Sequence, residues 1–539
     1  VIAGADERGA YYGVQTLAQL LALDKLPLAE VTDYPDVPYR GVVEGFYGAP
    51  WSQEARIRQL DFYGRNKMNV YIYGPKDDPY HRTPNWRKPY PAREGEELKV
   101  LVNRAKENNV IFYWAIHPGQ DIRWNEEDRS LLLQKFESMY QLGVRGFAVF
   151  FDDISGEGTK ADKQAELLNY IDDHFVKVKR DVAPLILCPT EYNKSWTDVE
   201  GGYLTTLGDK LNEGIKVMWT GDMVVATIDK STLDFVNPLL KRKAYIWWNF
   251  PVSDYVQDHL LLGPVYGNGL DIKDDMSAFV SNPMEHAEAS KISLYSVADY
   301  TWNMENYDSE TSWKHAVRDL MPLHAEYLEI FAAHNSDPGQ NGHRFRREES
   351  VAIQPALSAL LKAYQEKNEI DEDAYRQVAE ERRKIIVAAD GLLASGNENR
   401  PLITEIRPWL IQFKQVGEYG AEVLNMIRLR QQKDAFIGSY EHARALLVLM
   451  GETDAQYKAG IKSGSLHLMP TFNALFEAAT TGYNAAFHAG LDTKAVYSPY
   501  TLKSDVNQLA SLPIQQKGKV NTIIPSNEVI NWQAGGVLT

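Results

Sequence analysis

Short apolar runs alternate with helix-patterned segments from residue 39 onward. The runs are YRGVVEGF (39–46), MNVYIYG (68–74), VIFYWAIH (110–117), GFAVFFD (146–152), LILCPT (185–190), IKVMWT (215–220), AYIWWN (244–249) and ISLYS (292–296). Continuous apolar runs of this length are typical of strands that are buried on both faces of a parallel sheet. Eight such units in about 260 residues predict an α/β fold of the (β/α)8 type. A doubly wound open sheet is the alternative, but no Gly-rich dinucleotide fingerprint follows the first run.

The segments on either side of this alternation predict further domains. Residues 11–24 have apolar side chains at helical spacing, and the proline-containing LPLAEVTDYPDVP that follows indicates a boundary near residue 36. We therefore expect 1–36 to be the last helix and linker of an upstream α/β domain, and 37–335 to be the barrel. Residues 336–490 show helical patterning only, which predicts an all-α bundle. Residues 491–539 resemble strands and turns, and we expect an extended segment that begins a further β-domain.

Polar and aromatic residues follow the predicted strands. In chain order they are Tyr47, Lys76, Asp77, His117, Gln120, Asp152, Asp153, Tyr192, Asn193, Thr220, Asp222, Asn249, Asp254 and Asn303. The carboxyl ends of all strands meet on one face of a barrel, and barrel enzymes place their chemistry on that face. The sequence therefore predicts one pocket that these side chains share.

Two adjacent carboxylates, Asp152 and Asp153, end the fourth run. Outside a pocket, one would cap the following Gly/Ser-rich turn and the other would be solvated. In a partly desolvated pocket, like charge and burial each raise a carboxylate pKa. We then expect one acid to be protonated near neutral pH and the other to stay charged. These are the protonation states that a general acid and a second, anionic catalytic group require.

The adjacency of the two acids limits the reaction they can catalyse. Ordinary glycosidases place two carboxyl groups on opposite sides of the anomeric carbon. Neighbouring residues, with Cα atoms about 3.8 Å apart, are poorly placed for that. They suit two adjacent groups on one sugar: one acid protonates the glycosidic oxygen and the other holds the N–H of a 2-acetamido group. The acetamide oxygen then attacks the anomeric carbon and forms an oxazoline.

Composition and charge exclude several other classes of protein. The formal net charge of −16 argues against a nucleic-acid partner. No window approaches 18 uninterrupted apolar residues, so no membrane span is expected. A metal site is the rival explanation for the paired acids, but the sequence has no HExxH, CxxC or DDxxD motif, so neither metal nor cofactor is expected. His117 is interpreted as structural.

Several sequence blocks, in order, resemble a known family. They are RGVVEGFYGAPWS, YIYGPKDDPYHR, WAIHPGQD, FFDDISGEG, CPTEYN, MWTGD, WWNFPVSD and SNPMEHAEASK. Over roughly residues 1–490 the chain resembles family 84 of the glycoside hydrolases, the O-GlcNAcases, and is most similar to its bacterial branch. The resemblance implies a retaining β-N-acetylglucosaminidase that uses substrate-assisted catalysis. Similarity to bacterial members favours an extracytoplasmic location, periplasmic or secreted.

The resemblance also implies a role for each site residue. Asp152 would orient and polarise the acetamido N–H, Asp153 would be the general acid and then the base, and Tyr192 would donate to the acetamide oxygen. The backbone of Gly45 and the side chain of Lys76 would hold the 3-hydroxyl side of the sugar. Asp254 would hold the 4- and 6-hydroxyls, with Asn282 nearby, and Asn249 would lie close to the reacting centre. Residues that would line a pocket for the acetamide methyl group are Tyr47, Cys188, Thr220, Val224 and Trp247.

Alternative functions stay open at this stage. A sugar-binding or scaffolding protein without turnover is one, although it would not need a protonatable acid beside an amide clamp. A chitinase-like or family 20 hexosaminidase is another, but the DxDxE pattern of those enzymes is absent. The substrate could be a glycoprotein with GlcNAc on Ser or Thr, or a glycan. The bundle could contact the aglycone, form a homodimer, or support the barrel.

Overall fold

A computed structural model gives the structure of residues 1–21, 30–495, 520–523 and 530–533. Eight parallel strands close into a barrel in chain order, and the last pairs back with the first. The strands are β1 Tyr39–Glu44, β2 Val70–Tyr73, β3 Ile111–Ile116, β4 Gly146–Phe150, β5 Ile186–Cys188, β6 Lys216–Trp219, β7 Ala244–Trp248 and β8 Met276–Ser281. The predicted barrel is confirmed.

Helices alternate with these strands. They are α1 Glu7–Leu21, α2 Gln53–Arg65, α3 Ala92–Glu107, α4 Glu126–Gln141, α5 Ala161–Ile171, α6 Lys177–Lys179, α7 Tyr203–Lys210, α8 Lys230–Leu240, α9 Ala287–Trp302, α10 Ser309–Leu320 and α11 Ala325–Ala333. Side chains of N-cap residues fix several of their starts: Ser52 accepts from the amide of Ala55, and Asn125 accepts from that of Asp128. Such caps satisfy amides that the first helical turn leaves without partners.

The position predicted for the eighth strand was wrong. ISLYS (292–296) lies inside helix α9, and β8 is formed by Met276–Ser281 instead. Helix α9 is buried on almost every side, so its sequence lacks the polar face that identifies a surface helix. Asn303, which was expected to follow the eighth strand, ends α9 at its C-cap.

Large side chains fill the barrel interior, and glycines let neighbouring strands approach. The interior cluster includes Val43, Tyr113, Phe150 and Trp247, each nearly inaccessible to solvent. A Cβ atom on Gly41 would lie 1.8 Å from the carbonyl oxygen of Val70 in the adjacent strand. Position 41 therefore requires glycine for the β1–β2 pairing.

By its contacts the chain divides into two compact units. The first contains residues 1–349 and 391–407, and the second contains residues 350–390 and 408–539. Within the described residues 350–495, the regular elements are all helices, which confirms the predicted all-α region. They are α12 Gln354–Lys367, α13 Glu372–Ala394, α14 Arg400–Arg428, α15 Lys433–Ala455 and α16 Leu468–Phe487. Aromatic contacts hold the second unit together, including Phe436 stacked on Tyr483 with 4.0 Å between ring centroids.

The N-terminal helix packs within the barrel unit. Tyr12 contacts Trp302 edge to face, and Lys67 donates to the hydroxyl of Thr16. Residues 22–24 of the predicted helix and the first part of its linker lie outside the described residues. Most of the predicted extended segment 491–539 also lies outside them. What is described there includes an antiparallel pair, β9 Val520–Ile523 and β10 Ile530–Gln533. Among the described helices, none has the length and apolarity to cross a membrane.

We expect Gly41→Ala to lower the free energy of unfolding by on the order of 3 kcal/mol, because the new methyl group meets backbone that cannot move aside. Gly95→Ala in α3 is the matched control, since a Cβ atom there meets no atom within 4 Å. It should be neutral or stabilise by about 0.5–1 kcal/mol, as alanine is the better helix former. Denaturant unfolding of both variants measures the difference. Equal stability of the two variants would contradict the close β1–β2 approach.

Candidate active site

A cavity of about 230 Å³ opens at the carboxyl ends of the barrel strands. Of the polar and aromatic residues that were expected to share one pocket, Asp77, His117, Gln120, Asn193, Asp222 and Asn303 do not line it. All of the residues to which the family resemblance gives a role do line it: Gly45, Tyr47, Lys76, Asp152, Asp153, Cys188, Tyr192, Thr220, Val224, Trp247, Asn249, Asp254 and Asn282. They lie at or after the ends of every strand except β3. The barrel thus brings together residues that are up to 237 positions apart in the sequence, such as Gly45 and Asn282.

Asp152 is buried at this cavity and forms an ion pair with Lys76. The Lys76 Nζ donates to Asp152 Oδ2 at 2.6 Å, and both side chains are less than a tenth exposed. The other oxygen, Oδ1, is buried and makes no hydrogen bond within the described part of the chain. Burial raises the pKa of Asp152, but the charge of Lys76 and its hydrogen bond to the carboxylate outweigh burial and hold the pKa at about 2. Asp152 therefore matches the acid of the pair that was expected to stay charged. That the other acid is protonated near neutral pH stays a prediction.

Asp153 is exposed and accepts two tyrosine hydroxyl groups. Tyr47 donates to its Oδ2 at 2.9 Å, and Tyr192 donates to its Oδ1 at 2.8 Å. Burial is the main cause that raises the pKa of Tyr47 to about 12, and burial also raises the pKa of Tyr192. Both hydroxyls therefore keep their protons at neutral pH. The backbone of Asp153 has φ = 54°, in the left-handed region that few non-glycine residues adopt.

A chain of amide hydrogen bonds forms another wall of the cavity. The indole of Trp247 donates to Asn249 Oδ1 at 2.8 Å, and the amide of Asn282 donates to the same oxygen at 3.0 Å. Asn249 in turn donates to the carbonyl oxygen of Val224 at 2.7 Å. The Oδ1 of Asn282 accepts from the backbone of Gly45 at 3.3 Å. These bonds fix the orientation of both asparagine side chains.

An apolar patch lies beside the amide chain. Cys188 and Trp247 belong to the buried barrel core, and Val224 packs against that core. A Cβ atom on Gly45 would lie 2.6 Å from the Trp247 ring, so glycine is needed for the indole to occupy this place. Burial raises the pKa of the Cys188 thiol, which keeps it protonated and unsuited to be a nucleophile.

Asp254 is a third acid in the cavity, apart from the adjacent pair. Its Oδ2 accepts from the backbone of Tyr47 at 2.9 Å. Burial raises the pKa of Asp254 above its usual value. Because Oδ2 is held in place, the carboxylate is oriented and can accept further hydrogen bonds from sugar hydroxyls.

The sequence did not indicate several other residues that line the cavity. They are Trp196, Val225, Val252, Tyr255 and His343. The Trp196 ring lies 4.9 Å from that of Tyr192, and the Tyr255 ring lies 4.8 Å from that of His343. Trp196 and Tyr255 could have been inferred from their nearness in sequence to Tyr192 and Asp254. His343 follows β8 by about sixty residues in a polar segment, where periodicity carries no information about a site.

The arrangement favours acid–base chemistry. Within the described ranges, no cluster of three His, Cys, Asp or Glu side chains has a metal-binding arrangement. The cation nearest to the acids is Lys76, which occupies one oxygen of Asp152. An ionised carboxylate with one open oxygen therefore stands beside a second, accessible carboxylate.

Sequence comparisons agree with this site. The model of the beta-N-acetylglucosaminidase family matches residues 40–333, and that of the bacterial GH84 post-catalytic domain matches residues 349–476. Residues 491–539 match carbohydrate binding module family 32. The protein O-GlcNAcases of Rattus norvegicus and Mus musculus are each 35% identical in an alignment of 276 residues that covers 49% of this chain. The match covers 30% of the length of these curated relatives.

Solved structures extend the similarity beyond the barrel. CpGH84B superposes with a TM-score of 0.79 at 34% identity, covering 88% of this chain and 83% of that one. A mutant of the Thermobaculum terrenum O-GlcNAc hydrolase superposes with a TM-score of 0.73 at 25% identity, covering 84% of this chain and 97% of that one. The family match spans more than half of the residues, including all of the predicted site. The chain therefore belongs to the beta-N-acetylglucosaminidase family, family 84 of the glycoside hydrolases.

Proposed function

We propose that this protein is a retaining exo-β-N-acetylglucosaminidase in which the acetamido group of the substrate is the nucleophile. The unoccupied oxygen of Asp152 is the observation that carries the proposal. One oxygen of this buried carboxylate is held by Lys76, and the other makes no hydrogen bond within the described residues. A buried acceptor without a partner is costly, and an acetamido N–H would satisfy it.

The first chemical step uses the two acids on different groups of one sugar. Asp152 accepts the acetamido N–H, which increases the electron density on the acetamide oxygen. That oxygen forms a bond to the anomeric carbon while the bond to the leaving oxygen breaks. Asp153 transfers its proton to the leaving oxygen, and Asp152 takes the N–H proton as the neutral oxazoline forms.

The second step reverses the roles of the acids. Asp153, now a carboxylate, removes a proton from water as the water oxygen attacks the anomeric carbon. The oxazoline ring opens, and the nitrogen recovers its proton from Asp152. Two displacements at the same carbon give overall retention, as in other retaining glycosidases. The two acids return to their original protonation states.

Tyr192 has to exchange partners in this mechanism. In the substrate-free structure its hydroxyl donates to Asp153 Oδ1, whereas the proposed role is donation to the acetamide oxygen. A phenol donates one proton at a time, so substrate binding would release Asp153 from this contact. Tyr47 keeps its bond to Asp153 Oδ2 and can maintain the orientation of the acid.

The rest of the cavity supports recognition of one terminal sugar. Its volume of about 230 Å³ lies below the range of sites for drug-sized ligands, which favours a single ring over a longer chain. Asp254, Lys76 and the backbone of Gly45 would bind hydroxyl groups, with Asn282 nearby and Asn249 close to the reacting centre. The patch of Cys188, Thr220, Val224, Trp247 and Tyr47 would enclose the acetamide methyl group.

The named relatives favour GlcNAc on Ser or Thr of proteins as one substrate, because those of rat and mouse are called protein O-GlcNAcases. The match of residues 491–539 to a carbohydrate binding module favours a second candidate, GlcNAc at the ends of glycans. In both cases the partner is a glycoprotein or glycan that carries terminal β-linked GlcNAc. Catalysis at the barrel would be the same for either substrate.

The central test compares two aryl glycosides that differ only at the 2-position. We expect turnover of the N-acetyl-β-glucosaminide and turnover at least 10³-fold slower of the β-glucoside, which lacks the internal nucleophile. Initial rates with the same aryl leaving group measure this directly. Equal rates would exclude substrate assistance, and tight binding without turnover of either would favour a sugar-binding protein.

Asp153→Ala and Asp152→Ala should separate the roles of the acids. Asp153→Ala should lower kcat by about 10²–10⁴-fold with a poor leaving group and much less with an activated phenol, because the activated phenol departs without a proton. Asp152→Ala should be severe with both leaving groups, because ring closure itself is impaired. The contrast between the two leaving groups is the measurement. Equal losses for Asp153→Ala on the two substrates would contradict its role as acid.

Lys76→Met should make activity more sensitive to acid. Without the charge of Lys76, burial dominates and the pKa of Asp152 rises. The ionised form that the reaction needs is then lost at a higher pH, so the acid limb of kcat/KM moves toward neutral pH. Lys76→Arg keeps the charge and should leave the limb near that of the wild type. An unchanged limb in Lys76→Met would show that Lys76 does not control the ionisation of Asp152.

A further inference from the structure

His117 lies beneath the paired acids, although it does not line the cavity. It follows strand β3 directly and is 4% exposed. Its Nε2 lies 2.7 Å from the backbone carbonyl oxygen of Asp152 and 3.5 Å from the carboxylate atom Oδ1 of the same residue. The imidazole therefore contacts the main chain of an acid whose side chain lines the cavity.

The chemistry of this contact determines the tautomer of the imidazole. A carbonyl oxygen can only accept a hydrogen bond, so Nε2 must carry the proton. Burial lowers the pKa of His117; the charge of Asp152 acts in the opposite direction, but burial together with the positive charge of Lys76 outweighs it. His117 is therefore a neutral imidazole that donates from Nε2 at neutral pH.

His117 also helps to hold the partner of Asp152. Its backbone amide donates to the carbonyl oxygen of His81 at 2.7 Å. The backbones of His117 and Arg82 pair with each other as a short parallel β-bridge. The guanidinium of Arg82 donates to the carbonyl oxygen of Lys76 at 2.7 Å. Lys76 then donates to Asp152, which closes a ring of interactions that begins and ends at His117.

The contact with the Asp152 carbonyl also bears on Asp153. That carbonyl and the amide of Asp153 belong to one planar peptide unit. Asp153 has φ = 54°, a left-handed conformation that is unfavourable for an L-residue. Residues in such conformations persist only when their surroundings hold them. A hydrogen bond to the carbonyl of this peptide unit restrains its orientation, and with it the direction of both carboxylates.

We propose that His117 is a positioning residue: through its Nε2–H it fixes the Asp152–Asp153 peptide, and so aims one acid at the acetamido group and the other at the leaving oxygen. This inference deepens the proposed function and rests on it. It replaces the interpretation of His117 as a structural histidine. The imidazole takes no proton in the reaction and acts through Asp152.

The test is a pair of nearly isosteric substitutions, His117→Gln and His117→Met. A glutamine amide can place an N–H close to the position of Nε2, whereas methionine fills the same space without a donor. We expect His117→Met to lower kcat for the aryl N-acetyl-β-glucosaminide by about 10–100-fold, since small misplacements of reacting groups have effects of this size. His117→Gln should stay within about threefold of the wild type, and KM should change little in either variant.

His117→Asn provides a second comparison that keeps the test decisive if His117→Met does not fold. Its amide is one bond too short to reach the carbonyl of Asp152, so it should resemble His117→Met in kcat while keeping a polar side chain. Melting temperatures of all variants are measured in parallel. A merely structural role predicts that activity follows melting temperature and that Gln and Asn lose activity equally, and that result would overturn the proposal.

The same assay separates this proposal from the proposed function. If the wild type does not turn over the N-acetyl-β-glucosaminide, the proposed function fails and the role of His117 fails with it. If the wild type is active and His117→Met retains full kcat, only the positioning role fails. Loss of kcat in His117→Met with recovery in His117→Gln supports both.

Discussion

The buried ion pair between Lys76 and Asp152 is the interaction on which the site depends. Taking two charges out of water is expensive, and each is tolerated only because the other stands 2.6 Å away. The pair keeps Asp152 ionised in surroundings that would otherwise protonate it. It also occupies only one oxygen of the carboxylate. The second oxygen remains a strong acceptor at the base of the cavity, with its direction already set.

The barrel holds the two charged side chains at this separation. Lys76 comes from the end of β2 and Asp152 from the end of β4, and their separation is set by β3 between them. Strands in a closed sheet cannot slide without breaking the pairing all around the barrel. The rigid barrel therefore fixes the positions of the side chains at the strand ends. A catalytic site needs such rigidity because small displacements of reacting groups change the reaction rate strongly.

The alternation of apolar runs and helical segments was sufficient to predict the barrel, and seven of the eight strands lie where their runs placed them. The eighth failed for a physical reason. Helix α9 is buried on almost every side and so has no polar face, while MSAFVS, which forms β8, mixes small polar residues with apolar ones. Burial in the folded protein, and not the intrinsic preference of the residues, determines that one segment is a helix and the other a strand. Burial depends on the whole fold, so the local sequence does not reveal it.

For the site, too, some residues could be predicted from the local sequence and others only from the folded structure. The paired acids were visible because they end an apolar run, and their adjacency limited the chemistry. The family resemblance supplied the roles of residues such as Val224, which composition alone would place in the core. His343 and the hydrogen bonds of His117 could not be predicted, because they depend on which loops meet at one end of the barrel. The partner exchange that the proposed mechanism requires of Tyr192 follows only from the folded geometry.

The left-handed backbone at Asp153 has an evolutionary consequence. Aspartate and asparagine are the non-glycine residues that adopt this conformation most readily, so an exchange of one for the other preserves the backbone. Under the proposed mechanism, such an exchange replaces one oxygen with an NH2 group and removes the proton that Asp153 would transfer, while the cavity and its hydrogen-bonding walls remain. On this scaffold a hydrolase and a lectin are therefore neighbours in sequence space, separated by a single nucleotide change.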